Sequence, residues 1–355
     1  MSRRFATVRK ISEIRAIPNA ERVELACIDG WRAVIPKNTY KDGEYVLFIE
    51  TDAAILNVND SRFDFLRKSC LKQWKGNGVL FGECLRVRTI KLAGQISQGL
   101  VLKIDDFYKE LNNDRGLDAA LNIVHFDELA EEMAAKTGKI KQADAAGNFP
   151  SFIPKTDEER IQNMPEVFTA HKDTLFEVTL KLDGSSMSVG YSPSNYPDDP
   201  FFVCSRNLRL KRGDNTFHKV AAYYDIENKL KQYYDASGEE LCLQGELIGP
   251  GINGNRGKQE NYSFNVFRVW SISDKKWLET EDWRFLCERK FSIPTVPRID
   301  CAYRPLNRYT TVDELVEFAK EAMFNGLIGE GYVFKSYDGD THFKVINPLY
   351  LLEEK

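Results

Sequence analysis

Residues 6–104 alternate apolar and polar positions in short runs, the period of strands that bury one face. The pattern predicts strands at Thr7–Ile14, Val23–Ile28, Trp31–Ile35, Tyr45–Glu50, Cys84–Ile90 and Gly99–Ile104. Turn signals separate them at Pro18-Asn19, Asp29-Gly30, Lys41-Asp42-Gly43, Lys75-Gly76-Asn77-Gly78 and Ala93-Gly94. Asp29-Gly30 between two apolar runs is a two-residue hairpin signal. Strands at this density predict a small barrel.

The period then changes. Phe126, Leu129, Ala130 and Met133 fall on one face of a helix over Phe126–Lys136, and the stretch to Pro150 breaks it. Thr156 or Asp157 can cap a short helix running to Asn163. Further on, strands are expected at Phe176–Leu180, Ser186–Tyr191, Glu240–Ile248, Tyr262–Ile272, Gly331–Phe334 and Thr341–Ile346. Helices are expected over Asn215–Asp235 and after the Thr311/Glu314 capping box, the latter with Val312, Leu315, Val316, Ala319 and Met323 inward and Gly326 closing it. Without a regular βαβ alternation, this half reads as antiparallel sheet with helices. The chain is therefore expected to be α+β: a β-barrel over 1–110, a helical connector over 111–150 and an antiparallel-sheet domain over 151–355.

The 355 residues suffice for two cores, and 43% hydrophobic with 29% charged residues is an ordinary soluble composition. No apolar run approaches the roughly 20 residues of a membrane span, and the start of the chain lacks the apolar core of a secretory signal. The seven cysteines lack a Cys-x-x-Cys pair and read as reduced thiols of a soluble intracellular protein without membrane contact. Four scattered histidines give no zinc pattern.

A net charge of −4 argues weakly against a nucleic-acid partner, but the cations are segregated. Between Arg62 and Lys91 eight basic residues stand against Asp64 and Glu83, and Arg206, Arg209, Lys211 and Arg212 crowd one segment without an acid. That arrangement suits a phosphate-binding face, although a solvated basic surface is the ordinary alternative. It makes an oligonucleotide-binding barrel (OB-fold) the leading expectation for the first domain, with an SH3-like barrel second.

Lys181-Leu-Asp-Gly-Ser-Ser186 lies between two strand-like runs. A lysine at a strand end becomes a nucleophile where burial and neighbouring cations depress its pKa. Gly184 permits a turn that a Cβ would hinder, and the serine hydroxyls can bind phosphate or sugar oxygens. Taken alone, the motif equally fits a surface hairpin. Downstream, however, Glu246, Glu330, Lys335 and Lys344 interrupt apolar strands, and Phe264 and Phe267 offer aromatic rings. Buried charges are costly unless paired or bound to metal and phosphate, so several in one domain favour a shared polyanion-and-metal pocket.

In order, these segments resemble the motifs of covalent nucleotidyltransferases. Lys181-x-Asp183-Gly184 resembles motif I, Ser205-Arg206-Asn207 motif Ia and Gly245-Glu246 motif III. Phe264–Phe267 resembles motif IIIa, Glu330-Gly-Tyr-Val-Phe-Lys335 motif IV, and Phe343-Lys344 motif V. Ser186 stands where DNA ligases and capping enzymes usually carry arginine. The barrel comes first, and the chain ends too soon after Lys344 for a C-terminal barrel. Leu92–Leu100 and Lys155–Asn163 add to the likeness. Together these look like the ATP-dependent RNA ligase family with an N-terminal OB domain, known from Deinococcus and Naegleria. One departure is Ile346, where many relatives have a second motif V lysine.

The resemblance implies an RNA ligase that uses ATP with Mg²⁺ or Mn²⁺, forms lysyl-AMP on Lys181 and joins 3′-OH to 5′-phosphate ends. Its partner would be a nicked duplex of RNA or RNA/DNA, and the protein a monomer. Glu246 and Glu330 would serve metal and ribose, Lys344 the phosphate with Lys335 sharing that work, and Phe267 and Val333 the two faces of adenine. Asp183 belongs to the nucleotide pocket, Arg206 would hold RNA phosphate or ribose, and Arg160 the ATP phosphates. The rival readings are a DNA ligase or capping enzyme, and a non-catalytic RNA-binding protein.

Overall fold

The computed structural model describes residues 4–76, 78–136, 145–337 and 339–353, without the side chains at 134, 135 and 301–303; Asn77, residues 137–144 of the connector and the Cys301 thiol lie outside it. Two compact units divide the chain. One is Met1–Gln142 with Thr311–Asp313 and Leu351–Lys355; the other is Ala143–Thr310 with Glu314–Tyr350.

In the first unit, Tyr45–Ile49 is flanked antiparallel by Ala6–Lys10 and Leu100–Lys103. Glu13–Ala16, Val23–Ile28 and Trp31–Pro36 form a second antiparallel group. The single run expected over Thr7–Ile14 is two strands. At the break, Ile11 N–H donates to Glu44 (2.9 Å) and Ser12 N–H to Cys27 (2.9 Å), so the chain changes partners while fully buried Ile11 keeps the corner filled. Asp29 (φ 47°) and Gly30 (φ 81°) both lie in the left-handed region, as a tight hairpin turn requires. Trp31, Ala33 and Ile35 alternate inward, with the Trp31 ring 5.7 Å from Phe48. A third sheet orders Ile123–His125, Ala53–Ile55, Val79–Arg86 and Leu71–Gly76. The Cys84–Ile90 run thus ends at Arg86, and its strand begins earlier, at Val79, because Val79–Phe81 are exposed and carry no inward apolar signal. The helix Phe126–Lys136 forms as its periodicity predicts.

The second unit holds two sheets. The larger orders Ala145–Asn148, Leu208–Leu210, Phe201–Cys204, Ser185–Tyr191, Leu241–Ile248, Ser263–Ser271 and Lys276–Trp277. The smaller orders Glu159–Arg160, His342–Ile346, Gly331–Ser336, Phe176–Leu180 and Arg298–Tyr303; only Glu159–Arg160 pairs parallel. Met187, Val189, Leu243, Leu247, Phe264 and Val266 line the main core against Val220, Leu230 and Trp283. Under the smaller sheet Phe334 and Phe343 stack with ring centres 4.9 Å apart.

Three helix expectations are corrected. The segment ahead of Asn163 is the short strand Glu159–Arg160 and one 3-10 turn, because its backbone pairs with His342–Ile346. The helix expected over Asn215–Asp235 is two, Thr216–Tyr223 and Ile226–Ser237, divided at left-handed Asp225 (φ 52°). The helix opened by the capping box ends at Ala319, and Met323 joins a two-residue strand turned at Gly326 (φ 74°).

Lys181–Gly184 carries the chain from the smaller sheet into the larger. Gly184 serves a close approach: a Cβ there would collide with the Leu247 carbonyl and come within 2.7 Å of Ile248. Gly184→Ala is expected to cost about 1–3 kcal/mol and to displace this crossover. Urea unfolding beside a nucleotide-labelling assay checks both effects.

Candidate active site

The Lys181 backbone N–H donates to the Gly331 carbonyl (2.9 Å), which sets the end of one strand beside the start of its neighbour. Glu330 immediately precedes Gly331, so Lys181 Nζ and Glu330 Oε1 meet at 2.7 Å. Gly331 has φ 136°, and a Cβ there would press within 3.0 Å of the Asn347 nitrogen. Fully buried Asn347 fixes the turn, donating its backbone N–H to the Glu330 carbonyl (2.9 Å) and Nδ2 to the Gly329 carbonyl (3.1 Å). The sequence reading missed Asn347; an asparagine closing the apolar run Phe343–Ile346 was its signal.

Glu246 sits in the strand Leu241–Ile248, opposite Ser186 on one side and Asn265 on the other. Burial pushes its carboxyl up to about 8, against the pull of Lys181 and with further push from Glu330 and Asp183. Glu330 is likewise raised by burial, with Lys181 opposing. For Lys181, burial works to lower the amine, but Glu330, Glu246 and Asp183 together hold it above its ordinary value. The expectation of neighbouring cations around this lysine is therefore reversed. Its immediate neighbours are carboxylates, and without nucleotide the amine is a protonated partner of Glu330.

Asp183 is held by two donors the sequence reading did not name, the Asn253 amide and the Tyr350 hydroxyl. Tyr350 is itself gripped by Arg256, whose guanidinium lies 3.3 Å from the ring centre and donates to the Tyr350 carbonyl at 2.6 Å.

Phe267 and Lys335 come together. Lys335, only 6% exposed, places Nζ 4.7 Å from the Phe267 ring centre and donates to the Phe267 carbonyl at 2.9 Å. Burial lowers this amine to about 8. Val333 lies two residues earlier on the same strand, opposite Lys344 and Thr179. Lys344 acts electrostatically on Glu330, and buried Arg160 aligns with Lys344 in the parallel pair. Ile346 is 4% exposed and lies opposite Gly331. The Arg206 guanidinium lies 3.1 Å from Asp157.

One lysine among three carboxylates is short of positive charge. Glu330 Oε2 is buried with no hydrogen-bond partner among the described residues. An orphaned carboxylate oxygen beside a raised glutamate fits a divalent cation. Among the described residues no three His, Cys, Asp or Glu side chains are arranged to hold one cation by themselves, so substrate and water would have to complete the shell.

The comparisons with known proteins agree with this geometry. A family described as an OB-fold domain matches residues 5–104, and one described as RNA ligase matches residues 174–346. Among solved structures, a mutant of Naegleria gruberi RNA ligase with AMP and Mn is 31% identical with a TM-score of 0.82, covering 99% of each chain. The chain belongs to the RNA ligase family. The Naegleria ligase solved with PPi is 32% identical over 99% of this chain and 98% of that one, at a TM-score of 0.80. No curated protein sequence matches. The barrel expected at the start of the ligase is thus an OB-fold, followed by the antiparallel-sheet ligase domain.

Proposed function

We infer that this chain is an ATP-dependent RNA ligase that joins 3′-OH and 5′-phosphate ends in three transfers. The observation that carries the reading is the Lys181–Glu330 pair at 2.7 Å, set with Glu246 and Asp183 at the crossover between two sheets. Lys181 Nζ gives up a proton and attacks the α-phosphorus of ATP, expelling pyrophosphate and leaving lysyl-AMP. The adenylate then passes to an RNA 5′-phosphate, freeing Nζ. Finally the 3′-OH attacks that phosphate, forming the phosphodiester and expelling AMP. The Naegleria relatives were solved with ATP or AMP and Mn, which supports the same nucleotide and a divalent cation here.

Glu246 and Glu330 would hold that cation, which when bound offsets carboxylate and phosphate charge and so releases the hold on the lysine proton. Lys344 and Arg160, aligned on adjacent strands, are the cations for phosphate oxygens. Asp183, fixed by Asn253 and Tyr350, orients the turn that carries Lys181. Phe267 and Val333, on different sheets, would enclose the adenine. Arg206 is the candidate for the RNA 5′-phosphate.

Lys335 belongs at the base end. It stands two residues along the strand from Val333, the residue opposite Lys344, and its amine donates to the carbonyl of Phe267, the ring that would stack on adenine. Its two remaining N–H donors suit the ring acceptors of adenine. Lys335→Met is expected to raise KM for ATP about 10-fold or more. Because burial lowers this amine to about 8, the unfolded chain binds the extra proton from there up to the ordinary lysine value, and stability rises with pH through that window. The methionine variant should lose that rise in melts taken between pH 7 and 10.

A nick in duplex RNA or RNA/DNA, a monomeric state and an intracellular location complete the proposal. Support for the last comes from the free thiols at Cys27, Cys70, Cys84, Cys204, Cys242 and Cys287. No helix among the described residues is long and apolar enough to cross a membrane. The deciding experiment follows label from α-labelled ATP onto the protein and then onto a 5′-phosphorylated RNA nick. Protein label that never reaches RNA would sink the RNA acceptor.

A further inference from the structure

Glu177 and Arg284 are buried charges that the three transfers do not use. Glu177 is 1% exposed and stands directly opposite Lys335 in the register between Phe176–Leu180 and Gly331–Ser336. Side chains opposite one another on antiparallel strands share a face, with Cβ atoms about 5 Å apart, so a lysine in that place ordinarily pairs with the glutamate. Here it does not. Two arginines take Glu177 Oε1 instead, Arg284 through Nε and Arg298 through Nε at 2.9 Å. Lys335 makes no ion pair among the described residues, and its amine donates to the Phe267 carbonyl.

Arg284 is fixed in that role. It comes from the helix Thr280–Phe285, and its Nη1 donates to Thr295 Oγ1 (2.7 Å) and to Glu288 (3.1 Å), its Nη2 to the Val296 carbonyl (3.2 Å). Each guanidinium nitrogen is engaged, so the group cannot turn from Glu177 without breaking its other bonds. The remaining charged groups around Lys335 do not hold the amine either. His342, opposite it on the next strand, is kept below its usual value by burial, and by Arg268 and Lys335 against the pull of Glu158, so the ring is uncharged at neutral pH. Arg268 and Arg284 repel the amine, and Glu158 attracts it without forming an ion pair. A purely structural ion pair accounts for burying Glu177 with Arg284. It gives no reason for seating that carboxylate directly across from the lysine at the base end and then covering it with two arginines.

We propose that Arg284, with Arg298, is a positioning residue for nucleotide binding: the two guanidinium groups occupy Glu177 and so keep the Lys335 amine beside Phe267, with its remaining donors directed to the nucleobase. The inference rests on the ATP-dependent ligase reading and deepens it by assigning what holds Lys335 at the base end. Uncovered, Glu177 would draw the amine across the sheet into an ion pair, and the donors to the base would be lost with it.

The test titrates full-chain variants with α,β-methylene-ATP and Mg²⁺, an analogue that cannot release pyrophosphate, beside lysyl-AMP formation from α-labelled ATP. Arg284→Met should weaken analogue binding about 10-fold, the loss expected of Lys335→Met, and leave the maximal rate of lysyl-AMP formation within about threefold of wild type. Adding Glu177→Gln to Arg284→Met should bring binding back to within about threefold of wild type, because no carboxylate is left to take the amine. Wild-type affinity in Arg284→Met, or a double variant no tighter than the single one, overturns the inference. Should Arg284→Met fail to fold, Arg298→Met, at a side chain 25% exposed, decides by the same criteria, with a loss of about threefold and the same rescue expected. A wild type that binds the analogue but forms no lysyl-AMP strikes the ligase reading alone, and the affinities of the variants still decide the role of Arg284.

Discussion

Lys181→Ala should retain no label from α-labelled ATP after denaturation, a loss of at least about 10⁴-fold in the first transfer. Lys181 is the amine held 2.7 Å from Glu330 at the crossover between the two sheets. Lys181→Arg is the sharper variant. A guanidinium keeps the charge beside Glu330 but cannot lose its proton near neutral pH, so it too should be inactive while the fold is retained. Because the carboxylates hold the Lys181 amine above its ordinary value, the single-turnover rate of wild type should climb with pH, up to about tenfold per unit. Label on either variant would refute Lys181 as the nucleophile.

Glu246→Gln should lower adenylylation about 10²–10³-fold and yet stabilise the protein at alkaline pH. The sign follows from burial, which raises the carboxyl to about 8 in the folded chain from an ordinary value of 4.5. Between those values the folded state binds more protons than the unfolded one, so wild-type stability falls as pH rises through the window. The glutamine variant escapes that loss. Above pH 8 it should exceed wild type by on the order of 5 kcal/mol, and below pH 4.5 the two should converge. Urea titrations at pH 5, 7 and 8.5 measure the difference. A variant less stable than wild type at pH 8.5 would mean that Glu246 is structural, held ionised by Lys181.

The motif residues were legible because each violates its local pattern. Glu246 and Lys344 are charges within largely apolar strands and Glu330 stands just ahead of one, and burial of a charge is too costly to be incidental. The strands themselves were legible for the same reason, with Phe176–Leu180 and Val23–Ile28 bounded as expected. Failures came where pairing overrides local propensity. The strand Glu159–Arg160 exists because His342–Ile346 offers it an edge, and no period within the segment carries that information. The exposed hairpin around Val79 has no inward stripe to detect. Asn253 and Tyr350 were invisible as partners of Asp183 because they stand 70 and 167 residues away from it in the chain.

By itself, the sequence determined which side chains carry charge into apolar strands and in what order, and with that the family and the proposed nucleophile. Those are properties of residue type and spacing along one chain. Only the tertiary structure decided that the neighbours of Lys181 are carboxylates, so that its proton is held until their charge is offset. It also placed Lys335 beside Phe267. Both depend on register between strands distant in sequence, and a pKa is set by what lies across the sheet rather than along the chain.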